Sequence, residues 1–275
     1  MSIKFTIIVL NYLAYKEAIK CVQSILENWI DEIEHIVIVD NHSENESLNE
    51  LRLRFGGKRM ISILQTGRNW GYAKGNNIGI HYARDRFGTN CILLLNSDVI
   101  IPDKEYLYSM LAHVGKNVGA VGSASILSSG IRQSMSYEDL SLSGVIGALA
   151  DAYRRYKMQP EPEKRRTDKE KKYPVIHGCV LMLTPRYFDF YEGLYPGTFL
   201  YAEETILSIL LDKAGLQTGY ESEHAVIHHE RSSSRESYGN KQSYRNRLVL
   251  QSFLHVVFVK LLPRRILSRI ISGRQ

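Results

Sequence analysis

The stretch CILLLNSDVIIP (Cys91–Pro102) runs five apolar residues straight into Asn96-Ser97-Asp98 and then turns apolar again. A short apolar run bounded by polar residues reads as a buried strand, so a carboxylate stands at the end of one. The same arrangement occurs upstream. FTIIVL (5–10) reads as a first strand leading into Asn11, and HIVIVD (35–40) as a second that ends on Asp40. Between them, AYKEAIKCVQSILENW (14–29) places Ala18, Val22, Ile25, Leu26 and Trp29 at helical spacing. MISILQT (60–66) reads as a further strand and GNNIGIHYARDRF (75–87) as a helix. Regular alternation of this kind predicts an α/β fold with a mostly parallel central sheet flanked by helices on both faces. Ligands in such sheets collect outside the carboxyl ends of the strands, where Asp40 and Asp98 fall.

Composition narrows the class. With 275 residues, 44% hydrophobic and 23% charged, the chain is long enough for one large domain or two small ones around a proper core, which excludes wholesale disorder. Cys21, Cys91 and Cys179 stand far apart without C-x-x-C spacing, so neither a disulfide framework nor a zinc cluster is expected, and a cytoplasmic setting fits. The opening apolar run is too short for a signal-peptide core or a membrane span. The net charge of +6 is unevenly placed, since the chain after Lys241 contains no Asp or Glu. That bias points to anionic lipid or a phosphorylated substrate rather than nucleic acid.

No G-x-G-x-x-G follows the first strand and no G-x-x-x-x-G-K-[ST] occurs, which argues against a dinucleotide-binding dehydrogenase or a P-loop nucleotidase. A nucleotide can instead be held by carboxylate and metal. Asp40 is placed to accept from a ribose hydroxyl or a base N–H, while Asp98 with Asn96 offers hard oxygens to Mg²⁺ or Mn²⁺ bridging a diphosphate. Taken singly, each Asp is equally a turn or cap residue. Between them NWGYAKGNNIGI (69–80) sets three glycines and three asparagines around a helix start, allowing close backbone approach and offering N–H groups to an anion, with Lys74 as a further charge.

In their order and spacing, TIIVLNY, VIVDNHSENES, NWGYAKGNNIG, LLLNSDV and FLYAEETILSILLDKAG resemble the family-2 glycosyltransferases of the GT-A fold. The likeness is strongest to those of bacterial capsule, O-antigen and exopolysaccharide synthesis, a rhamnosyltransferase-like branch, and covers roughly residues 3 to 250. It implies an inverting enzyme that uses a nucleoside-diphosphate sugar and a divalent metal. By this resemblance Asp40 holds the nucleoside, with Asn11, Tyr12, Asn41 and Ser43 around the base. Asn69, Gly71, Tyr72, Lys74, Asn76 and Asn77 form the asparagine-glycine motif of the donor site. Asn96 and Asp98 stand for the family's D-x-D, with Asp98 the metal ligand and His228 returning to metal or diphosphate. In YAEET, Glu204 aligns with the catalytic base and Glu203 supports it, although both are also ordinary first-turn acids of a helix. Two departures stand out: Ile206 where many relatives have another acid, and Asn45 where the nucleoside motif often ends in Asp.

The rest of the chain is less regular. KYPVIHGCVLMLTP (172–185) reads as a strand pair or a strand with a turn, and FLYAEETILSILLDKAGL (199–216) as a helix stopped by Gly215. Residues 153–172 are charged and read as a flexible loop or polar insertion. His229, Arg231 and Ser232 are further donor contacts to expect, and Arg245 and Arg247 phosphate or lipid contacts. Beyond Pro263, Ile266, Leu267, Ile270 and Ile271 share one helical face away from Arg264, Arg265 and Arg269. That pattern reads as an amphipathic helix in a membrane interface, or else as one packed on the core. The expectation is therefore a GT-A domain over 1–250, with a donor half (1–100) and an acceptor half (101–250), followed by a basic amphipathic tail (251–275). It would transfer a sugar from a UDP- or dTDP-sugar to a lipid-linked or saccharide acceptor at the inner face of the cell membrane. The competing reading is a non-catalytic nucleotide-sugar-binding or assembly subunit.

Overall fold

The computed structural model describes residues 3–157, 172–229 and 242–273. The amino-terminal third follows the alternation in the sequence: β1 (Phe5–Asn11), α1 (Tyr15–Glu27), β2 (Ile33–Asp40), α2 (Ser47–Phe55), β3 (Ile61–Gln65), α3 (Gly71–Phe87) and β4 (Ile92–Asn96). Helix α3 starts four residues before its apolar spacing suggests. Helix α2 carries only a weak apolar stripe, burying Leu51 and Phe55, and Asn45 organises its start. The Asn45 Oδ1 accepts from Ser47 N (3.1 Å) and Ser47 Oγ (2.5 Å), while its amide donates to the Leu13 carbonyl (2.9 Å).

The chain continues through β5 (Val99–Ile100), α4 (Lys104–Ala112), β6 (Val118–Leu127), β7 (Arg132–Gln133), β8 (Ser136–Asp139), α5 (Leu142–Lys157), β9 (Lys172–Val175), β10 (Val180–Leu183), α6 (Pro185–Phe188), α7 (Glu203–Ala214) and β11 (Gln217–His228). Two helices close it, α8 (Gln242–Leu261) and α9 (Arg264–Ser272). The main sheet runs β3-β2-β1-β4-β10-β6-β11-β5, with β7 added on β6, and β8 pairs β9 in a separate ribbon. Pairing is parallel from β3 to β4 and turns antiparallel where β10 enters between β4 and β6. The expected mostly parallel sheet is thus parallel in its first half and mixed beyond it. KYPVIHGCVLML does form two strands, but in different sheets.

Alternation along the central strands splits the core between the two faces of the sheet. Ile8, Val37, Val39 and Leu94 pack with α3 and α7 on one face. Ile7, Val9, Leu93 and Leu95 pack with α1 and α4 on the other. Helix α4 is capped by Asp103, whose Oδ1 accepts from Tyr106 N at 2.8 Å. Gly215 closes α7 in the left-handed region, donating to the Asp212 carbonyl while Leu216 N reaches Leu211 O.

Two expectations change on the acceptor side. Residues 153–157 belong to α5 rather than to a loop, and 158–171 lie outside the described residues. Helix α9 forms where predicted, but most of its apolar face turns inward: Leu267 and Ile271 are buried and Ile270 half-buried, Ile266 alone stays exposed, and Ser268 Oγ donates to the Phe190 carbonyl at 2.8 Å. The packed alternative is therefore the one adopted, because the neighbouring core supplies the apolar partner that a bilayer would otherwise supply.

Candidate active site

The carboxyl ends of β1, β2 and β4 lie side by side, since β1 pairs with both neighbours, and Asn11, Asp40 and Asn96 arrive there together. Asp40 is fully buried. Its Oδ1 accepts from Asn11 Nδ2 (2.8 Å) and Ser43 Oγ (2.6 Å), its Oδ2 from Ser43 N (3.1 Å), and Leu13 N donates to Ser43 Oγ (2.8 Å). The first role of this acid is thus to fix the loops that leave β1 and β2, partly buried Tyr12 beginning the first of them. Asn41 links them to α3. Its amide donates to Asn69 Oδ1 (3.0 Å) and the Gly71 carbonyl (3.1 Å) and accepts from Trp70 N (3.1 Å).

Gly71 has φ +78°, and a Cβ there would lie 2.1 Å from the Phe199 carbonyl oxygen, so only glycine fits. This close crossing brings α3 against the segment that leads to the acid pair, with Tyr72 N donating to Phe199 O at 2.8 Å. Lys74 lies with Arg68 against the Trp70 ring, at 5.3 and 3.6 Å from its centroid. Asn77 exchanges two hydrogen bonds with the Leu194 backbone (2.8 and 2.7 Å), and Asn76 donates to the Tyr72 carbonyl. In this structure both serve the frame of α3.

Beyond β4, Asp98 is nearly buried and its Oδ1 lies 3.3 Å from His228 Nε2. The antiparallel pairing of β5 with β11 produces this meeting, because His228 is the register partner of Val99 and His229 N donates to the Asp98 carbonyl at 3.0 Å. His229 turns to Ser128, with Nδ1 3.2 Å from its Oγ. Arg231 and Ser232 lie outside the described residues. The buried Nδ1 of His228 has no hydrogen-bond partner. The Asp98 carboxylate and the Nε2 of His228, 3.3 Å apart, are a donor pair suited to a divalent cation that completes its shell with ligand oxygens, while Nδ1 lies on the other side of the ring. No group of three or more His, Cys, Asp or Glu side chains arranged for a metal occurs among the described residues.

Glu203 and Glu204 open α7, preceded by Tyr201 (φ +78°) and Ala202 (φ +63°). Two successive non-glycine residues in the left-handed region store strain of roughly 1–3 kcal/mol each, and here they set the direction in which the acid pair emerges. Leu13 and His42, on the loops after β1 and β2, are the other non-glycine residues with positive φ among those described. All four therefore border this site. Glu204 Oε1 accepts from Gly178 N at 3.1 Å, and the Gly178 carbonyl accepts from the Tyr72 hydroxyl at 2.7 Å. The next carbonyl, that of Cys179, accepts from Asn96 N at 3.0 Å. The Gly178-Cys179 dipeptide therefore joins the Asp98 corner to the Glu204 corner.

The electrostatics follow from this packing. Burial, and then the charge of Glu204, push the Glu203 carboxyl up to about 8. Burial raises Tyr72 well above the usual phenol range, with both acids adding to it, so Tyr72 stays a donor. Burial pushes the Cys179 thiol up to about 12, with Asp98 and Glu204 both contributing. A third acid, Glu138 of β8, accepts from Thr205 Oγ1 at 2.9 Å and is likewise raised by burial, with Glu204 adding. Behind the pair lies a small cavity lined by Tyr72, Ile176, Gly178, Leu181, Leu194, Glu203, Glu204 and Leu207.

Gly178, Cys179 and Glu138 were missed by motif reading. The isolated glycine inside an apolar run was the available signal, since it marks a close approach: a Cβ on Gly178 would lie 2.6 Å from Glu204 Oε1. Glu138 gave none. Ile206, one of the two departures from the resembled motif, is buried in the core, where a carboxylate would have no solvent.

Comparison with known proteins accords with this architecture. A profile of glycosyl transferase family 2 matches residues 6–185. The low-salt glycan biosynthesis hexosyltransferase Agl10 of Haloferax volcanii is 24% identical over 273 residues, covering 98% of this chain and 82% of the relative. Among solved structures, the Pyrobaculum calidifontis mannosyltransferase PcManGT, in complex with GDP-Man and Mn²⁺, superposes with a TM-score of 0.58 at 13% identity, covering 98% of this chain and 73% of that one. S. aureus TarS 1–349 in complex with UDP-GlcNAc gives 0.57 at 17%, covering 98% and 70%.

Proposed function

The chain belongs to glycosyl transferase family 2, and on that premise we propose that it transfers a hexose, with inversion, from a nucleoside-diphosphate donor to a lipid-linked or saccharide acceptor in cell-surface polysaccharide synthesis. The carrying observation is the pair of carboxylate corners, Asp98 with His228 and Glu204 with Glu203, joined through Gly178-Cys179. The likeness to a hexosyltransferase of glycan biosynthesis supports the sugar class. UDP- and dTDP-sugars are the donors of this reading, and the base would lie against the loops after β1 and β2 that carry Asn11, Tyr12, Asp40, Asn41 and Ser43. Residues 1–100 form the donor half and 101–250 the acceptor half, working at the inner face of the cell membrane.

Asp98 and His228 would hold Mg²⁺ or Mn²⁺ beside Asn96, and the bound ion would offset the charge growing on the leaving diphosphate. Glu204, oriented by the Gly178 N–H, takes the proton from the acceptor hydroxyl as its oxygen attacks the anomeric carbon from the face opposite the diphosphate. The bond from that carbon to the diphosphate oxygen breaks with inversion. Glu203 supports the base by keeping its own proton in the neutral range, so that the two adjacent acids do not carry two charges. The Gly71 crossing beneath Phe199 and the Lys74–Trp70 contact shape the donor rim next to this pair.

Thermal unfolding with UDP, dTDP and GDP, each with and without Mn²⁺, tests the donor site. One diphosphate should raise the midpoint only with metal, adding about 2.7 kcal/mol at a hundredfold excess over its dissociation constant. No stabilisation by any of them under either condition would remove the donor reading.

A further inference from the structure

The inward face of α9 leaves the outward face of α8 to be explained. Its solvent side reads Arg247, Gln251, Leu254, Phe258 and Leu261, in alternating steps of four and three residues, and is followed by Arg264 and Arg265 at the start of α9. Leu254, Phe258 and Leu261 are 54%, 46% and 63% exposed, although Leu248, Ser252, Val256 and Val259 of the same helix are buried. Nothing among the described residues covers this stripe. Its far side is anchored: Asn246 Nδ2 donates to the Arg155 carbonyl of α5 (2.7 Å), Ser252 Oγ to Leu200 O (2.8 Å), and Lys260 lies 3.7 Å from Asp212. The helix therefore cannot roll to bury its three apolar side chains.

We propose that this stripe of α8 docks on an anionic lipid bilayer, Leu254, Phe258 and Leu261 entering the interface while Arg247 and Arg265 meet the headgroups; Arg264 is held over the Phe190 ring, 4.8 Å from its centroid. The inference deepens the membrane part of the function proposed above and moves its location from α9 to α8. Charge decides between the possible occupants. Two copies joined through this stripe would bring arginines against arginines in a region with no Asp or Glu after Lys241, a juxtaposition that disfavours association. An apolar strip bracketed by cations suits a bilayer that combines apolar depth with negative headgroups. No helix among the described residues is long and apolar enough to cross a membrane, so contact through α8 lies along the surface.

Flotation of the full chain with vesicles of phosphatidylcholine alone, or mixed with phosphatidylglycerol, tests the assignment. The chain should float with the mixed vesicles and lose binding as salt rises. The triple variant Leu254→Ser, Phe258→Ser, Leu261→Ser should reduce partitioning by about tenfold or more, and Arg247→Gln with Arg265→Gln should reduce only the phosphatidylglycerol-dependent part. Because Leu254, Phe258 and Leu261 are about half exposed, the triple variant should keep its nucleotide binding and cooperative unfolding, with only a small fall in midpoint from the poorer helix propensity of serine. Wild-type partitioning by the triple variant overturns the α8 assignment and leaves the membrane reading in place. Failure of the unsubstituted chain to bind either vesicle overturns both. A dimer that the triple variant converts to monomer, without lipid binding, makes a second copy the occupant.

Discussion

The two carboxylate corners are built from the same chemistry and left in opposite conditions. Just beyond β4, Asp98 faces the Nε2 of an imidazole, and on the proposed function this corner is the one that takes up a cation. At the start of α7, burial and the neighbouring Glu204 push Glu203 up to about 8, and burial with Glu204 raises Glu138 as well, so this corner favours holding a proton. The first corner suits binding of a charged diphosphate and the second suits movement of a proton. What separates them is the neighbour that the fold supplies.

The sharpest way to break this comparison is to remove one carboxylate at a time. Glu204→Gln should lower transfer by about 10³-fold while leaving metal-dependent stabilisation by the nucleotide intact. Asp98→Ala should abolish that stabilisation. A chain that only binds nucleotide sugars would show no functional change in the first variant, so turnover and thermal midpoint measured side by side separate the two readings.

Gly178→Ala tests the joint between the corners. The added methyl meets Glu204 Oε1, and displacement of a base by about 1 Å costs on the order of 10²-fold. The loss should appear in kcat, with donor affinity retained. Loss of donor affinity alone would sink the role of the dipeptide as a joint.

Smaller effects follow from the acid pair. Because the folded Glu203 carboxyl is raised from 4.5 to about 8, the folded chain binds this proton more tightly than the unfolded chain. Stability should therefore fall as pH rises from about 4.5 to about 8 and level off above. Glu203→Gln should flatten that slope in midpoints measured between these values, and an unchanged slope would place the titration elsewhere. The smallest effect expected is that of Ala202→Gly, which removes the steric cost of a left-handed non-glycine residue and should stabilise by about 1 kcal/mol. A midpoint that falls instead would mean that the strain at Ala202 is already offset locally.

The parts of this molecule legible in the sequence are those whose cause is local. Apolar runs ending at Asn11, Asp40 and Asn96 predicted the parallel half of the sheet, and Gly215 predicted the end of α7. The acid pair and the strand-end acids were likewise readable as motifs. Their partners were not. Tyr72 reaches Gly178 across 106 positions and Thr205 reaches Glu138 across 67, separations over which spacing carries no information. Asp40 and Asn77 show the converse, since motif residues expected at a ligand also carry hydrogen bonds that hold the frame.

Helices α8 and α9 mark the boundary between the two kinds of information. Sequence alone determined that residues 264–272 form an amphipathic helix, because periodicity fixes which side chains share a face. Only the tertiary structure decided that this face turns inward on Leu267 and Ile271, while α8 keeps Leu254, Phe258 and Leu261 outward. The hydrophobic effect is non-directional: a sequence specifies that an apolar face must be covered, and the remainder of the fold specifies by what.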